Sequence, residues 1–512
     1  MGSKTTFISG WLLIFITSAL AIRDFEPVAP SSRSEDHIHI DEGWLRVRLN
    51  HFDASNTETF PMRYLFNGRF ARLYDADILI FVGGEWAISD GWLRTGLAFE
   101  LARDIEAGLF YTEHRYYGET WPTANTASSE LRYLTVDQAL GDLAQFIQYV
   151  KSDDFERGRY KNGKVGLVGC SYAGSMATWM KLAYPHLVDA VFSDSGPLHA
   201  QEDFPEYLEV ITEALRSQGG EECVASIAEA VERMTAMLEQ PAGATTISNL
   251  FNTCTQIQAS VPLDVATFFW YGITETFAYL VQYATPGDIP DACRVITDTS
   301  VPDAVQRLAN WITSHPWPQP CIETRYTEVV AAHTNTSFRA PDVTMRLWTY
   351  QTCVEYGWYQ TTSSDRHPFL NAVPLEYFHQ MCKDFFGVNF NEELLRSGIA
   401  RTNHFFAGLT FLPDNVVSVA GGLDPWSPMG PNVTHATPLA PVYVVPNVSH
   451  CRAIRPTGEN ETLELEAAKQ SVITHMRAFL GRPIPPPAAE APALVPAFTL
   501  IILAGLLTLG RA

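Results

Sequence analysis

The sequence predicts an α/β fold, in which helices cover both faces of a mostly parallel sheet, and three observations support this prediction. Short runs that are apolar at every position, such as Ile78–Val82, are typical of strands buried on both faces. Segments with apolar residues at helical spacing separate these runs. Alternating strands and helices favour parallel strands joined by right-handed crossovers.

The first part of the chain contains four strand candidates, at residues 78–82, 108–111, 165–168 and 190–192. A helix is predicted to begin at Thr135 and to bury one face. Thr135 and Gln138 have the spacing of a capping box, in which each side chain bonds to the backbone of the other residue. Apolar residues then recur at 136, 139, 140, 143, 147 and 150.

The middle of the chain shows helical periodicity and few strand signals. Helices are predicted at 204–217 and 225–238, strand-like runs resume at 416–420 and 442–445, and a closing helix is predicted at 462–480. We therefore expect a core in two parts with a helical cap inserted between them. The expected limits are 40–196 and 341–480 for the core and 197–340 for the cap.

Both ends of the chain have features of export and anchoring. Lys4, the apolar run 11–20 and Ala19-Leu20-Ala21 have the pattern of a signal peptide, which predicts cleavage after residue 21. A Pro/Ala-rich linker, 481–493, precedes a second apolar run at 494–509. That run resembles a lipid-anchor signal, and a short transmembrane anchor or a soluble tail are the alternatives.

Composition limits the classes of partner. The chain has 512 residues and a formal net charge of −22, which disfavours nucleic acids and anionic membrane surfaces as partners. No cysteine pair has the spacing of a metal site, and no metal or organic cofactor is expected. Export predicts an extracellular, cell-surface or lysosomal or endosomal location within the secretory pathway.

An oxidising compartment allows the eight cysteines to pair. Three disulfides of undetermined connectivity are predicted in the middle of the chain, from Cys223, Cys254, Cys293, Cys321, Cys353 and Cys382. Glycosylation sequons occur at Asn335, Asn432, Asn447 and Asn460. We expect Asn447 to be unmodified or to point outward, because it lies close in sequence to His450.

Residues 164–175 have the pattern of a nucleophile elbow. An apolar strand leads into Gly169-Cys170-Ser171-Tyr172-Ala173, and a helical segment follows. Small residues on both sides of a serine allow the sharp turn that exposes its hydroxyl, and Ala173 takes the place of the commoner glycine. Ser171 is therefore the predicted nucleophile.

A serine hydroxyl needs a base, and the base needs an orienting carboxylate. In this arrangement the acid and then the histidine follow the serine in the chain. Asp424 comes directly after the strand candidate 416–420, and His450 follows the candidate 442–445. Both positions lie at the carboxyl ends of parallel strands, so we predict Asp424 as acid and His450 as base.

Two backbone N–H groups are needed to stabilise the oxyanion. Tyr172, directly after the nucleophile, supplies one, and we assign the second to Gly84 in the Gly83-Gly84-Glu85 loop. Cys170 and Cys451 adjoin the predicted nucleophile and base. If the triad forms, these cysteines are either close together or both buried near the site, and a bond between them is one alternative.

Seven motifs in order resemble the family of lysosomal Pro-X carboxypeptidase, dipeptidyl peptidase II and thymus-specific serine protease. The resemblance covers roughly residues 40–480, and two of the motifs, 350–353 and 449–451, are most similar to the thymus-specific branch. The motifs are Gly83-Gly84-Glu85, residues 113–119, 131–135, the elbow, 348–353, 422–426 and Ser449-His450-Cys451.

The resemblance implies an α/β-hydrolase fold with a large inserted, disulfide-stapled helical cap, and hydrolysis of peptide bonds, often beside proline. It also implies a peptide substrate and a homodimer. Candidate substrate contacts from the motifs are Glu85, Trp86, Trp348, Tyr350 and Trp426. Trp86 stands where the family usually has glycine, and the segment 367–369 lacks the aspartate expected in the dipeptidase branch.

Two other functions are compatible with the same scaffold. An esterase or lipase uses the same triad for a different acyl transfer, and an ester-only activity profile would distinguish it. A cell-surface binding protein on an inactive hydrolase scaffold belongs to a different class. Such proteins usually lose a triad member, whereas all three candidates are present here.

Overall fold

The computed structural model describes residues 26–27, 38–314, 320–458 and 461–483. The predicted signal peptide, most of the linker, the apolar tail and Asn460 lie outside these residues. Within the described ranges, no helix is both long enough and apolar enough to cross a membrane.

An eight-stranded sheet forms the centre of the molecule, in the order β1-β2-β4-β3-β5-β6-β9-β10. The first two strands pair antiparallel to each other, and β2 pairs antiparallel with β4, whereas the remaining neighbours are parallel. The strands are β1 (Asp41–Arg48), β2 (Thr59–Asn67), β3 (Ile78–Val82), β4 (Gly108–Thr112), β5 (Val165–Cys170), β6 (Ala190–Asp194), β9 (Val416–Gly421) and β10 (Val442–Val445).

Helices pack against this sheet, and the central strands β3, β4, β5, β6 and β9 are buried along their whole length. Such strands must be covered on both faces, which explains their continuous apolar sequence. The α/β prediction is therefore confirmed. The helices of the core are α1 (Leu97–Asp104), α2 (Val136–Val150), α3 (Tyr172–Ala183) and α15 (Leu463–Phe479).

Helix α2 begins where the sequence predicts, but the capping box does not form. Thr135 makes no side-chain cap bond, and the Gln138 side chain accepts a hydrogen bond from the His51 backbone instead. The backbone N–H of Val136, which has no partner within the helix, donates to both carboxylate oxygens of Glu355, at 3.1 Å each. A buried carboxylate from a distant helical segment thus replaces the local cap.

A long helical insertion separates β6 from β9. Helices occur on both sides of residue 340, where the sequence suggested that the cap ends, and the core strands resume only at Val416. Two short strands, β7 (Gln201–Asp203) and β8 (Gly357–Tyr359), pair parallel within it. Its α-helices are α4 (Glu206–Gly219), α5 (Glu221–Leu238), α6 (Pro241–Leu250), α7 (Pro262–Phe268), α8 (Glu275–Gln282), α9 (Asp288–Ile296), α10 (Ala304–Ser314), α11 (Tyr326–His333), α12 (Val343–Gln351), α13 (Leu375–Phe386) and α14 (Glu392–Phe406).

Four disulfides link the described cysteines. Three of them lie within the insertion, as the sequence predicted, and their connectivity is Cys223–Cys293, Cys254–Cys321 and Cys353–Cys382. The fourth joins Cys170 to Cys451, with a Cα–Cα distance of 5.7 Å.

Three of the sequon asparagines lie within the described residues, and all three are exposed. They are Asn335, Asn432 and Asn447. The side-chain oxygen of Asn447 accepts a hydrogen bond from Gln218.

Candidate active site

Ser171 occupies the sharp turn between β5 and α3. Its backbone has φ 56° and ψ −133°, a conformation that costs energy for any residue other than glycine. The turn is so tight that a Cβ on Gly169 would lie 2.2 Å from the carbonyl oxygen of Ala173. The Ser171 N–H donates to the carbonyl oxygen of Asp194 on β6 at 2.9 Å. The strained serine is therefore fixed by its strand, its helix and the neighbouring strand.

Asp424 and His450 meet at the same edge of the sheet, in the loops after β9 and β10. The Nδ1 atom of His450 lies 2.8 Å from Oδ1 of Asp424. The same oxygen accepts the backbone N–H of Trp426 at 2.9 Å. Both side chains are almost completely buried. The pair therefore has the geometry in which a carboxylate fixes the tautomer of an imidazole.

The other ring nitrogen of His450, Nε2, is buried and has no hydrogen-bond partner among the described residues. The Cys170–Cys451 disulfide joins the residue before Ser171 to the residue after His450. A ring nitrogen of His450 and both sulfurs lie within 4.8 Å of one another. These sulfurs are bonded to each other, so the group offers no thiolate to a metal. The bond instead holds the serine and histidine loops side by side.

The pKa of His450 reflects two opposing effects. Burial acts to lower it, whereas the charge and hydrogen bond of Asp424 raise it, with smaller contributions from the charges of Asp194 and Glu85. The net effect raises the pKa of His450 above its ordinary value. The imidazole is consequently a stronger base than a free histidine.

Asp194, at the end of β6, is a site residue that the sequence analysis missed. Its carbonyl holds the Ser171 backbone, and its carboxylate accepts the N–H of Ile454, in the segment after His450, at 2.9 Å. Burial raises the pKa of this carboxyl to about 6. An acidic residue at the carboxyl end of a strand next to the nucleophile strand was the available signal.

The loop after β3 places Gly84 and Trp86 in contact. A Cβ on Gly84 would lie 2.5 Å from the ring of Trp86, so a side chain at position 84 would displace the ring or the loop. The Trp86 ring is buried, and its indole N–H donates to the hydroxyl of Tyr111 at 2.7 Å. This ring is therefore part of the packing beneath the loop.

Glu85 is buried beside these two residues. Its Oε2 atom has no hydrogen-bond partner among the described residues, and burial raises the pKa of the carboxyl to about 7. The charge of His450 acts in the opposite direction on this pKa, so the two groups interact electrostatically.

Aromatic side chains extend from Tyr172, directly after Ser171, to Trp426, two residues after Asp424. Trp348 contacts the rings of Tyr172 and Trp358 at centroid distances of 5.7 and 6.1 Å, and Trp358 contacts Trp426 at 5.7 Å. We call these four residues the aromatic cluster. Trp348 and Trp426 are only half-buried.

Tyr350, another candidate substrate contact, packs elsewhere. Its ring contacts Phe386 and Phe390 of the insertion, and it is buried. Trp348 and Tyr350 are two residues apart on α12 and therefore point to roughly opposite sides of the helix, although they belong to the same motif.

The strand order, the strained serine after β5 and the buried aspartate–histidine pair define an α/β hydrolase. A family model described as Serine carboxypeptidase S28 matches residues 47–472, and this chain belongs to that family. The family resemblance predicted from the motifs is thereby confirmed, and the chain is a serine-type peptidase that acts on peptide substrates.

Individual relatives align over most of their length. The thymus-specific serine protease of Mus musculus is 28% identical over 455 residues, which cover 86% of this chain and 87% of that protein. The lysosomal Pro-X carboxypeptidase of Bos taurus is 23% identical over 518 residues, which cover 94% and 98%. Among solved structures, an esterase of Pyrobaculum calidifontis covers 86% of both chains at 12% identity, with a TM-score of 0.33.

Proposed function

We propose that Ser171, His450 and Asp424 form the catalytic triad of this peptidase. The observation that carries the proposal is the 2.8 Å contact between His450 and Asp424 at the sheet edge where Ser171 adopts its strained turn. The disulfide next to both Ser171 and His450 supports the pairing of nucleophile and base.

Each residue has one role in this mechanism. Ser171 Oγ attacks the carbonyl carbon of the scissile peptide bond while His450 Nε2 accepts its proton, and Asp424 stabilises the imidazolium that forms. The backbone N–H groups of Tyr172 and Gly84 stabilise the oxyanion. His450 then donates the proton to the leaving amine, and water hydrolyses the acyl-enzyme with His450 again as base.

The aromatic cluster is the proposed contact for the residue beside the scissile bond. Its half-buried rings, Trp348 and Trp426, adjoin residues next to the nucleophile and the acid. Flat apolar faces of this kind suit a proline ring, which has no N–H to satisfy. Cleavage beside proline therefore follows from the same proposal.

The decisive experiment compares the native protein with Ser171→Ala. We expect a fluorophosphonate probe to label only the native protein, and mass spectrometry to show that only the native protein cuts proline-containing peptides. Ser193→Ala, which alters a nearby serine on β6, is a control for the labelling site. Labelling of Ser171→Ala would contradict the assignment, and cleavage of esters alone would favour the esterase alternative.

We also propose that the chain is exported and acts in the secretory pathway. The four disulfides support an oxidising compartment. The signal peptide, the glycans at Asn335, Asn432 and Asn460, the C-terminal anchor and the homodimer stay predictions. Expression in animal cells, followed by N-terminal sequencing, glycosidase and phospholipase treatment, and light scattering, tests each of them separately.

A further inference from the structure

The last residue of helix α8, Gln282, contacts both loops that carry the proposed acid and base. Its main-chain carbonyl accepts the backbone N–H of His450 at 3.1 Å. Its side-chain oxygen accepts the indole N–H of Trp426 at 3.0 Å. Gln282 belongs to the helical insertion, whereas the other two residues lie in loops after core strands. One residue thus connects the insertion to both halves of the pair.

The position of Gln282 at a helix end makes its carbonyl available. The last four carbonyls of a helix have no partner within the helix, so the Gln282 carbonyl is free to accept from His450. The carboxyl end of a helix also carries partial negative charge. That charge favours the imidazolium that forms on His450 in the proposed mechanism.

Further contacts fix the side chain of Gln282. Its Oε1 atom also accepts the hydroxyl of Tyr207 on helix α4 at 2.6 Å, and its Nε2 atom donates to the hydroxyl of Tyr283 at 2.9 Å. The ring of Tyr207 packs edge-on against Trp426, with centroids 5.5 Å apart. The amide is therefore held in the orientation that directs its oxygen at the Trp426 indole.

These contacts close a ring around the acid and the base. Trp426 donates its backbone N–H to Asp424, and Asp424 contacts His450. The backbone N–H of His450 donates to the main-chain carbonyl of Gln282, and the side chain of Gln282 accepts the indole N–H of Trp426. A displacement of α8 would therefore strain the contact between Asp424 and His450 from both sides.

We infer that Gln282 is a positioning residue, through which the helical insertion sets the distance between Asp424 and His450. This inference rests on the proposed function, because it assumes that the pair is catalytic. It implies that the peptidase reaches full activity only when α8 is docked on the two loops.

The test compares Gln282→Ala with Gln282→Glu in the full-length protein. The alanine variant loses the side-chain acceptor but keeps the carbonyl, and we expect kcat to fall roughly tenfold, with a smaller rise in KM because the Trp426 indole loses this partner. Weaker contact with Asp424 lowers the pKa of His450, so the acidic limb of the kcat profile should move to lower pH. The glutamate variant keeps the acceptor and adds negative charge, so it should recover most of kcat with that limb at higher pH.

Gln306→Ala, which alters a partly exposed glutamine on helix α10 of the same insertion, is the matched control and should retain native kcat and pH profile. An unchanged kcat and acidic limb in Gln282→Ala would overturn the inference while leaving the triad intact. Failure of the native protein to react with fluorophosphonate would instead reject the proposed function itself.

If Gln282→Ala does not fold, Tyr207→Phe removes only one hydroxyl that orients the amide. We expect a smaller loss of kcat, roughly threefold, and the same direction of shift in the acidic limb. A native kcat and pH profile in Tyr207→Phe would also count against the inference.

Discussion

Asp424 has a particularly restricted environment. It is fully buried, and one of its oxygens accepts hydrogen bonds from both His450 and the Trp426 backbone, while the other has no partner among the described residues. Its orienting effect should therefore depend on its charge as well as on its shape. The two contributions can be separated, because asparagine has nearly the same shape.

We predict that Asp424→Asn lowers kcat by roughly 10³- to 10⁴-fold with little change in KM, because the amide favours the wrong tautomer of His450. Steady-state kinetics on a proline-containing peptide provides the measurement. Asp414→Asn, which alters an exposed aspartate before β9, should have native kinetics. A loss below tenfold in Asp424→Asn would mean that another group orients the histidine.

A second prediction concerns the loop after β3. In Gly84→Ala the new methyl group would meet the buried ring of Trp86, so the loop must shift. We expect kcat to fall by roughly 10²-fold, because the backbone N–H of residue 84 leaves its place in the proposed oxyanion hole. Circular dichroism should remain native. Native kcat in Gly84→Ala would remove residue 84 from the oxyanion hole.

The sequence could predict individual site residues only where they directly follow a predicted strand. Ser171, Asp424 and His450 each follow an apolar run, so strand ends alone predict one common edge of the sheet. Gln282 follows no such rule, because it reaches the site through the docking of a helix from the insertion. Trp86 was a candidate substrate contact, but its ring is buried and donates to Tyr111. The sequence does not show which way that ring points.

Among the connecting elements, the Cys170–Cys451 disulfide covalently links the residues beside the proposed nucleophile and the proposed base. We predict that the paired variant Cys170→Ala/Cys451→Ala loses roughly 10²-fold in kcat, because small displacements of reacting groups are costly. Activity should be measured well below the melting temperature, so that loss of stability does not contribute.

Cys353→Ala/Cys382→Ala is the matched control, because it also removes one buried disulfide, within the insertion. It should lose stability while retaining most of kcat at low temperature. Equal loss of kcat in the two paired variants would show that the bond next to Ser171 and His450 has no special effect.

Secondary-structure elements could be predicted from the sequence where complete burial requires a continuous run of apolar residues. β3 and β10 have the predicted bounds, and β6 continues beyond the predicted run to Asp194, which contacts the Ser171 backbone. The antiparallel hairpin of β1 and β2 was not predicted, because only one residue of β1, Val47, is buried and the strand lacks a continuous apolar run. The cap of α2 comes from Glu355, and no local pattern can indicate so distant a partner.

For the whole molecule, buried carboxyl groups predict how stability depends on pH. Burial raises the pKa of Glu355 to about 8 and that of Glu85 to about 7. The folded state therefore binds these protons more tightly than the unfolded chain, and the free energy of unfolding should rise as pH falls from about 9 to about 6.5. Below that, His114 and His333 oppose the gain, because burial lowers the pKa of each to about 4.

Thermal unfolding between pH 6 and 9 measures this dependence, and Glu355→Gln isolates its largest part. The glutamine keeps an oxygen for the Val136 N–H but cannot ionise, so the melting temperature should vary less with pH above 6.5. Glu328→Gln, at an exposed site, should leave the slope unchanged. An unaltered slope in Glu355→Gln would show that this carboxyl does not titrate in the window.

The separation of Cys170 and Cys451 along the chain also determines when, during synthesis, their disulfide can form. Because 281 positions separate the two residues, the bond between them cannot close until almost the entire domain has been synthesised. A nascent chain therefore carries the proposed nucleophile well before the proposed base, and the proposed triad can be complete only when translation has passed residue 450.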